Sequence, residues 1–138
     1  MLIPSLQEDG LLPPGLYMAD MGEIAERFGR GTPQRRELFE RLRMFVELAR
    51  PCGALRMFVD GSFVTAKPEP GDVDVVIWLG EKYFELIECA DDKALRLEEM
   101  FDTREPEEAF GYLKRSTGTS GFISFHLFES IRINIKVL

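Results

Sequence analysis

Residues 58 to 78 read FVDGSFVTAKPEPGDVDVVIW, and the way this stretch folds decides the rest. Phe58 and Val59 deliver the chain to Gly61-Ser62, a loop rich in proline and glycine follows, and Asp72 and Asp74 then open a second apolar run. Residues i and i+2 of a strand share a face, so the two aspartates are expected to point the same way. A carboxylate pair of this kind is a hard oxygen site for Mg²⁺ or Mn²⁺, and Mg²⁺ usually completes its octahedron with water and phosphate oxygens. A Gly-Ser turn lets backbone N–H groups and the Ser62 hydroxyl approach such phosphates without a bulky side chain in the way.

Outward from this centre, Ala54 to Val59 reads as a first core strand and Asp72 to Leu79 as a second. The segment between them is too short for a crossover helix and is interrupted at Pro68 and Pro70. It predicts a single helical turn over Ser62 to Thr65, with the N–H groups after Gly61 available to an anion. Upstream, Thr32 offers an N-cap hydroxyl and Pro33 suits the first helical position. Leu38, Leu42, Phe45, Val46 and Ala49 then recur at helical spacing until Pro51 and Gly53. The opposite face, with Arg35, Arg36, Arg41 and Arg43, is expected to be solvated. Asp20 caps a short helix over MGEIAERF that stops at Gly29. Residues 1–18, with Pro4, Gly10, Pro13, Pro14 and Gly15, form an extended arm. That arm lays Leu2, Ile3, Leu6, Leu11 and Leu12 on the domain or on a partner, and residues 19–138 make one domain.

Downstream, Gly80 ends the second strand and Glu81 to Ala90 resumes helical spacing. Asp91 or Asp92 caps a further helix with Leu95, Leu97, Met100 and Phe101 apolar. A shorter helical piece is predicted over Pro106 to Lys114, and GTSG at Gly118 to Gly121 is a loop. Phe122 to Phe128 reads as a strand, Glu129-Ser130 as a tight turn, and Ile131 to Leu138 alternates as a half-buried strand does. The fold class is therefore α/β (α+β): a small mixed sheet of about four strands with helices packed on it.

A chain of 138 residues, 45% of them hydrophobic, has room for one core. Its net charge of -7 argues against an extended nucleic-acid surface, which is usually basic. A single nucleotide held through metal ions is compatible with that charge. No apolar stretch approaches the roughly 20 residues of a membrane span, and the start lacks the basic region of a signal peptide; a cytoplasmic protein with no membrane contact is expected. Cys52 and Cys89 are widely spaced and read as buried thiols rather than a disulfide or a metal site.

The hydrophobic residue Val59, Gly61-Ser62, a spacer of about ten residues and Asp72-Val73-Asp74-Val75 together resemble the nucleotidyltransferase superfamily that includes DNA polymerase β and the minimal nucleotidyltransferases. The wording DGSFVTAKPEPGDVDVV also resembles a group of small bacterial proteins related to that superfamily, whose members tend to carry the opening GLLPPG seen at Gly10 to Gly15. The resemblance covers roughly residues 8 to 78. It implies a nucleotidyltransferase-like fold, with Gly61 and Ser62 on the β- and γ-phosphates of a nucleoside triphosphate and Asp72 and Asp74 as catalytic metal ligands. Thr65 and Lys67 lie in the intervening loop, within reach of phosphate.

The superfamily's third carboxylate sits in a later strand. Here the final strand offers Asn134, a neutral donor too weakly basic to accept a proton. Glu129 is the nearest acid and falls in the turn, while His126 alternates with Phe122, Ser124 and Phe128 and is either a base or a hydrogen-bonded core residue. Two functions follow. One is Mg²⁺-dependent transfer of a nucleoside monophosphate from a triphosphate to a hydroxyl acceptor. The other is a weakly active or inactive nucleotide-binding module, such as a component of a toxin-antitoxin pair, acting with a protein partner or as a homo-oligomer.

Overall fold

The computed structural model describes residues 3–103 and the strands Ala109–Leu113 and Arg132–Val137. In chain order these are β1 (Gly15–Ala19), α1 (Met21–Arg27), α2 (Pro33–Ala49), β2 (Arg56–Asp60), β3 (Asp74–Leu79), α3 (Glu81–Glu88), α4 (Asp92–Thr103), β4 (Ala109–Leu113) and β5 (Arg132–Val137). The fold is mixed α+β. Its sheet has the order β1-β5-β2-β3-β4, with β2 antiparallel to β3 and parallel to β5, β3 parallel to β4, and β1 antiparallel to β5.

Local chemistry sets the helix starts. The Asp20 carboxylate accepts from the Glu23 N–H at 2.8 Å to cap α1, and the Thr32 hydroxyl accepts from the Arg35 N–H at 3.2 Å to cap α2, each satisfying a donor the helix cannot. Asp91 does the same for the Ala94 N–H at 3.0 Å ahead of α4. Gly53, at φ 78°, turns the chain out of the short 3₁₀ turn Arg50–Cys52 and into β2; a left-handed conformation there suits glycine.

Strand alternation sorts the two faces. Met57 and Val59 of β2 and Val75, Ile77 and Leu79 of β3 are buried, and they join Leu38, Leu42, Phe45 and Val46 of α2 and Ala94, Leu97 and Met100 of α4 in one core. Each aliphatic side chain fully removed from water contributes on the order of 2 kcal/mol, so this seam between sheet and helices holds the domain. The intervening residues Arg56, Phe58, Asp60, Asp74, Val76 and Trp78 are half-buried. On that second face Phe58 and Trp78 pack with ring centroids 5.4 Å apart, and the Arg56 guanidinium lies over the Trp78 ring at 5.4 Å.

Four expectations are corrected. The sheet has five strands among the described residues, because the end of the arm pairs with β5 and because 109–113, expected within a helix, is a strand parallel to β3. The sequence there, Ala-Phe-Gly-Tyr-Leu, places a helix-weakening glycine between two aromatics, and the ladder offered by β3 prevails over a short helical period. The second core strand starts at Asp74, not Asp72. Arg35 is buried at 7% exposure instead of solvated, and Cys89 is exposed, while Cys52 is buried as expected. The expected strand 122–128 and the turn at 129–130 lie outside the described residues. The arm packs on its own domain: Ile3 and Leu12 enter the core and the Arg27 guanidinium donates to the carbonyls of Ile3 and Pro4 at 2.9 and 2.7 Å. Among the described residues no helix is long and apolar enough to cross a membrane.

Candidate functional site

At the end of β2 the chain reverses through Gly61, whose φ of 91° lies in the region open to glycine. The space around it is closed as well: a Cβ there would meet the Asp74 nitrogen at 3.1 Å and the Asp72 carbonyl oxygen at 3.3 Å. Gly61 is thus the residue that allows the turn to lie directly on the backbone that carries both aspartates. The predicted helical turn is present as a 3₁₀ turn over Ser62–Val64.

Ser62 and Asp72 close on one another. The Ser62 hydroxyl donates to Asp72 Oδ1 at 2.6 Å and the Ser62 N–H donates to the same oxygen at 3.1 Å. The N–H groups of Gly71 and Asp72 in turn donate to Ser62 Oγ at 3.1 and 3.4 Å. Phe63 N–H reaches the Asp72 carbonyl at 3.1 Å. These bonds explain why β3 starts late, since Asp72 spends both its carboxylate and its carbonyl on the turn. They hold the Asp72 carboxyl below the usual carboxylate range, led by the Ser62 hydroxyl and then the Ser62 N–H, with partial burial opposing and the Lys67 ammonium adding to the effect. Asp72 is exposed and ionised at neutral pH, the state a hard cation requires.

Asp74 is half-buried at the start of β3, and the register sets it directly opposite Asp60 at the end of β2. Asp60 was not among the sequence-predicted site residues. Its signal was present: Arg56, Phe58 and Asp60 share one parity of the strand, so Asp60 belongs with the outer face that carries Asp74. Like charges at opposed positions of an antiparallel pair repel, and a bound cation would relieve them. Among the described residues no three His, Cys, Asp or Glu side chains gather as a metal cluster. Carboxylate oxygens such as those of Asp72 and Asp74 are hard donors of the kind Mg²⁺ takes, its shell usually being completed by water and phosphate oxygens.

The loop residues are placed differently from one another. Lys67 is exposed, with its ammonium close enough to Asp72 to influence it. Thr65 uses its hydroxyl inside the loop, donating to the Ser62 carbonyl at 2.7 Å and accepting from the Lys67 N–H at 3.2 Å. The N–H groups of Phe63, Val64, Thr65 and Ala66 are likewise bonded to carbonyls, those of Asp72, Gly61, Ser62 and Gly10. Ser62 is therefore the donor of this turn that meets an anionic oxygen. Gly10 of the GLLPPG opening accepts from Ala66 at 2.9 Å, which brings the two sequence motifs into contact. Asn134 lies in β5 at the register positions of Phe58 and Met18; Glu129 and His126 lie outside the described residues.

A second missed residue is Arg35. Its guanidinium donates to the carbonyls of Phe28, Phe63, Thr65 and Lys67 at 3.1, 2.8, 2.6 and 2.5 Å. Burial lowers its pKa, yet a guanidinium remains charged. Thr32 Oγ1 and Gln34 Nε2 donate to the carbonyls of Pro68 and Pro70, both at 3.0 Å. The start of α2 thus fastens the whole loop from 63 to 70.

Fold and site together define a mixed α+β protein with a Gly-Ser turn clasped to an Asp-x-Asp segment. A model of the family of unknown function DUF6932 matches residues 4–123, and the chain belongs to that family. No curated protein and no solved structure matches it.

Proposed function

We propose that the protein is a Mg²⁺-dependent nucleotidyltransferase, binding a nucleoside triphosphate at Gly61, Ser62, Asp72 and Asp74. The observation that carries this reading is the 2.6 Å contact between the Ser62 hydroxyl and the Asp72 carboxylate, because it brings a phosphate donor and a metal ligand from two separate segments to one place. When bound at Asp72 and Asp74, Mg²⁺ would neutralise the triphosphate and favour ionisation of the attacking hydroxyl. Ser62 exchanges its bond to Asp72 for one to a phosphate oxygen, and the Lys67 ammonium adds positive charge beside the phosphates. The acceptor oxygen forms its bond to the α-phosphorus as the bond to the bridging oxygen breaks; pyrophosphate leaves and the acceptor proton passes to solvent.

The alternative is a nucleotide-binding module with little turnover, acting on a protein partner or as a homo-oligomer. What favours it is Asn134 in β5, where a basic carboxylate would be wanted. Calorimetry with ATP and Mg²⁺ tests the site: wild type is expected to bind, and the double variant Asp72→Ala, Asp74→Ala is not. Absence of binding by wild type overturns both readings. Pyrophosphate release on addition of candidate acceptors separates them, since the module would bind without releasing it.

A further inference from the structure

We infer that Arg35 is a positioning residue for the proposed nucleotide site, acting through the main chain of the loop that follows Ser62. This role rests on the nucleotide reading above. Three of the four carbonyls it holds, those of Phe63, Thr65 and Lys67, belong to that loop, and the fourth, of Phe28, ends α1. Phe63 is consequently held at both of its backbone polar groups, its N–H by the Asp72 carbonyl at 3.1 Å and its C=O by Arg35 Nη1 at 2.8 Å. The grip lies one residue from Ser62, whose hydroxyl must leave Asp72 and meet phosphate without the turn losing its shape.

The chemistry explains why a buried cation stands here. Irregular backbone has no ladder to satisfy its carbonyls, and each one buried without a donor is costly. Arginine presents five N–H donors in a rigid plane, enough to serve alternate carbonyls of an irregular loop, and its charge strengthens each bond. Lysine offers three donors from one point and cannot span the same set. Arg35 also sits on the stripe that continues through Leu38 and Leu42, so the core side of α2 delivers it to the loop. A loop fixed in this way keeps Ser62, Asp72 and the Lys67 backbone in a ready arrangement before any nucleotide arrives, which is where binding gains from preorganisation.

The test compares Arg35→Met, Arg35→Lys and Gln34→Ala with a core control, Leu42→Ala, by calorimetry with ATP and Mg²⁺ and by amide hydrogen exchange over residues 62–70. The positioning role predicts roughly tenfold or greater loss of ATP affinity in Arg35→Met, a smaller loss in Arg35→Lys, and faster exchange in the loop. Gln34→Ala, which loses only its bond to the Pro70 carbonyl, keeps the protein folded and loses a few-fold. Leu42→Ala lowers thermal stability but leaves affinity within about twofold. Equal affinity losses in Leu42→Ala and the Arg35 variants, or unchanged affinity in Gln34→Ala and Arg35→Lys with a loosened loop, would overturn the positioning role while leaving the nucleotide reading intact. Failure of wild type to bind ATP overturns that reading and this role with it.

Discussion

At the scale of single residues the Ser62–Asp72 contact links the candidate site to stability. The Asp72 carboxyl is held below its ordinary value chiefly by the Ser62 hydroxyl, so the ionised form is favoured in the folded state. A depressed folded pKa contributes stability that is fully present above the unfolded value, about 3.9 for an aspartate. The contribution is lost as pH falls through the lower, folded value. Denaturant titrations of wild type and Ser62→Ala are therefore expected to differ most at neutral pH, with the gap narrowing below about pH 4 to the share that comes from the bonds Ser62 Oγ accepts from Gly71 and Asp72. The gap is modest, because Asp72 is exposed and water screens it. A gap that widened towards acid would show that Ser62 stabilises the turn through something other than the ionised carboxylate.

Among elements, what could be read in advance was what local chemistry writes into the chain. The caps Asp20 and Thr32, the proline at Pro33 and the stripe of Leu38, Leu42, Phe45 and Val46 specify α1 and α2, and both helices stand where those residues put them. β4 was not legible, because its strand character comes from the ladder with β3 rather than from its own period. Arg35 is ambiguous by residue type: its spacing of three to Leu38 places it with the core, while its charge points to water. The parity of Asp60 is legible in the strand, but its opposition to Asp74 exists only once the hairpin register is set. The start of α2 also carries a prediction. Thr32 both caps the helix and donates to the Pro68 carbonyl, so Thr32→Ala is expected to cost about 1–2 kcal/mol in chemical denaturation. Thr32→Ser, which retains the hydroxyl, should recover most of that loss; equal losses in both would assign the effect to packing of the methyl group.

At the scale of the whole molecule, the sheet joins segments far apart in sequence: β5 lies between β1 and β2, and the β2–β3 hairpin carries the acids. No local pattern announces that order, which arises from pairing between the arm and the last described strand. Its consequence for the site is that Asp60 and Asp74 stand at opposed positions across the central hairpin, where like charges repel and a cation between them is favoured. The domain is therefore expected to trade stability for binding at this place. Asp60→Asn should raise the melting temperature in the presence of a chelator, by an amount matching a few tenths to about 1 kcal/mol. The same substitution should reduce the further rise that Mg²⁺ with ATP gives wild type, because a ligand stabilises only to the extent that it binds the folded chain. Thermal denaturation of both proteins, with chelator and with Mg²⁺ and ATP, reads the two effects together. A variant less stable than wild type in chelator, with an undiminished response to ligand, would remove Asp60 from the site and leave it as a strand-end residue held by its neighbours.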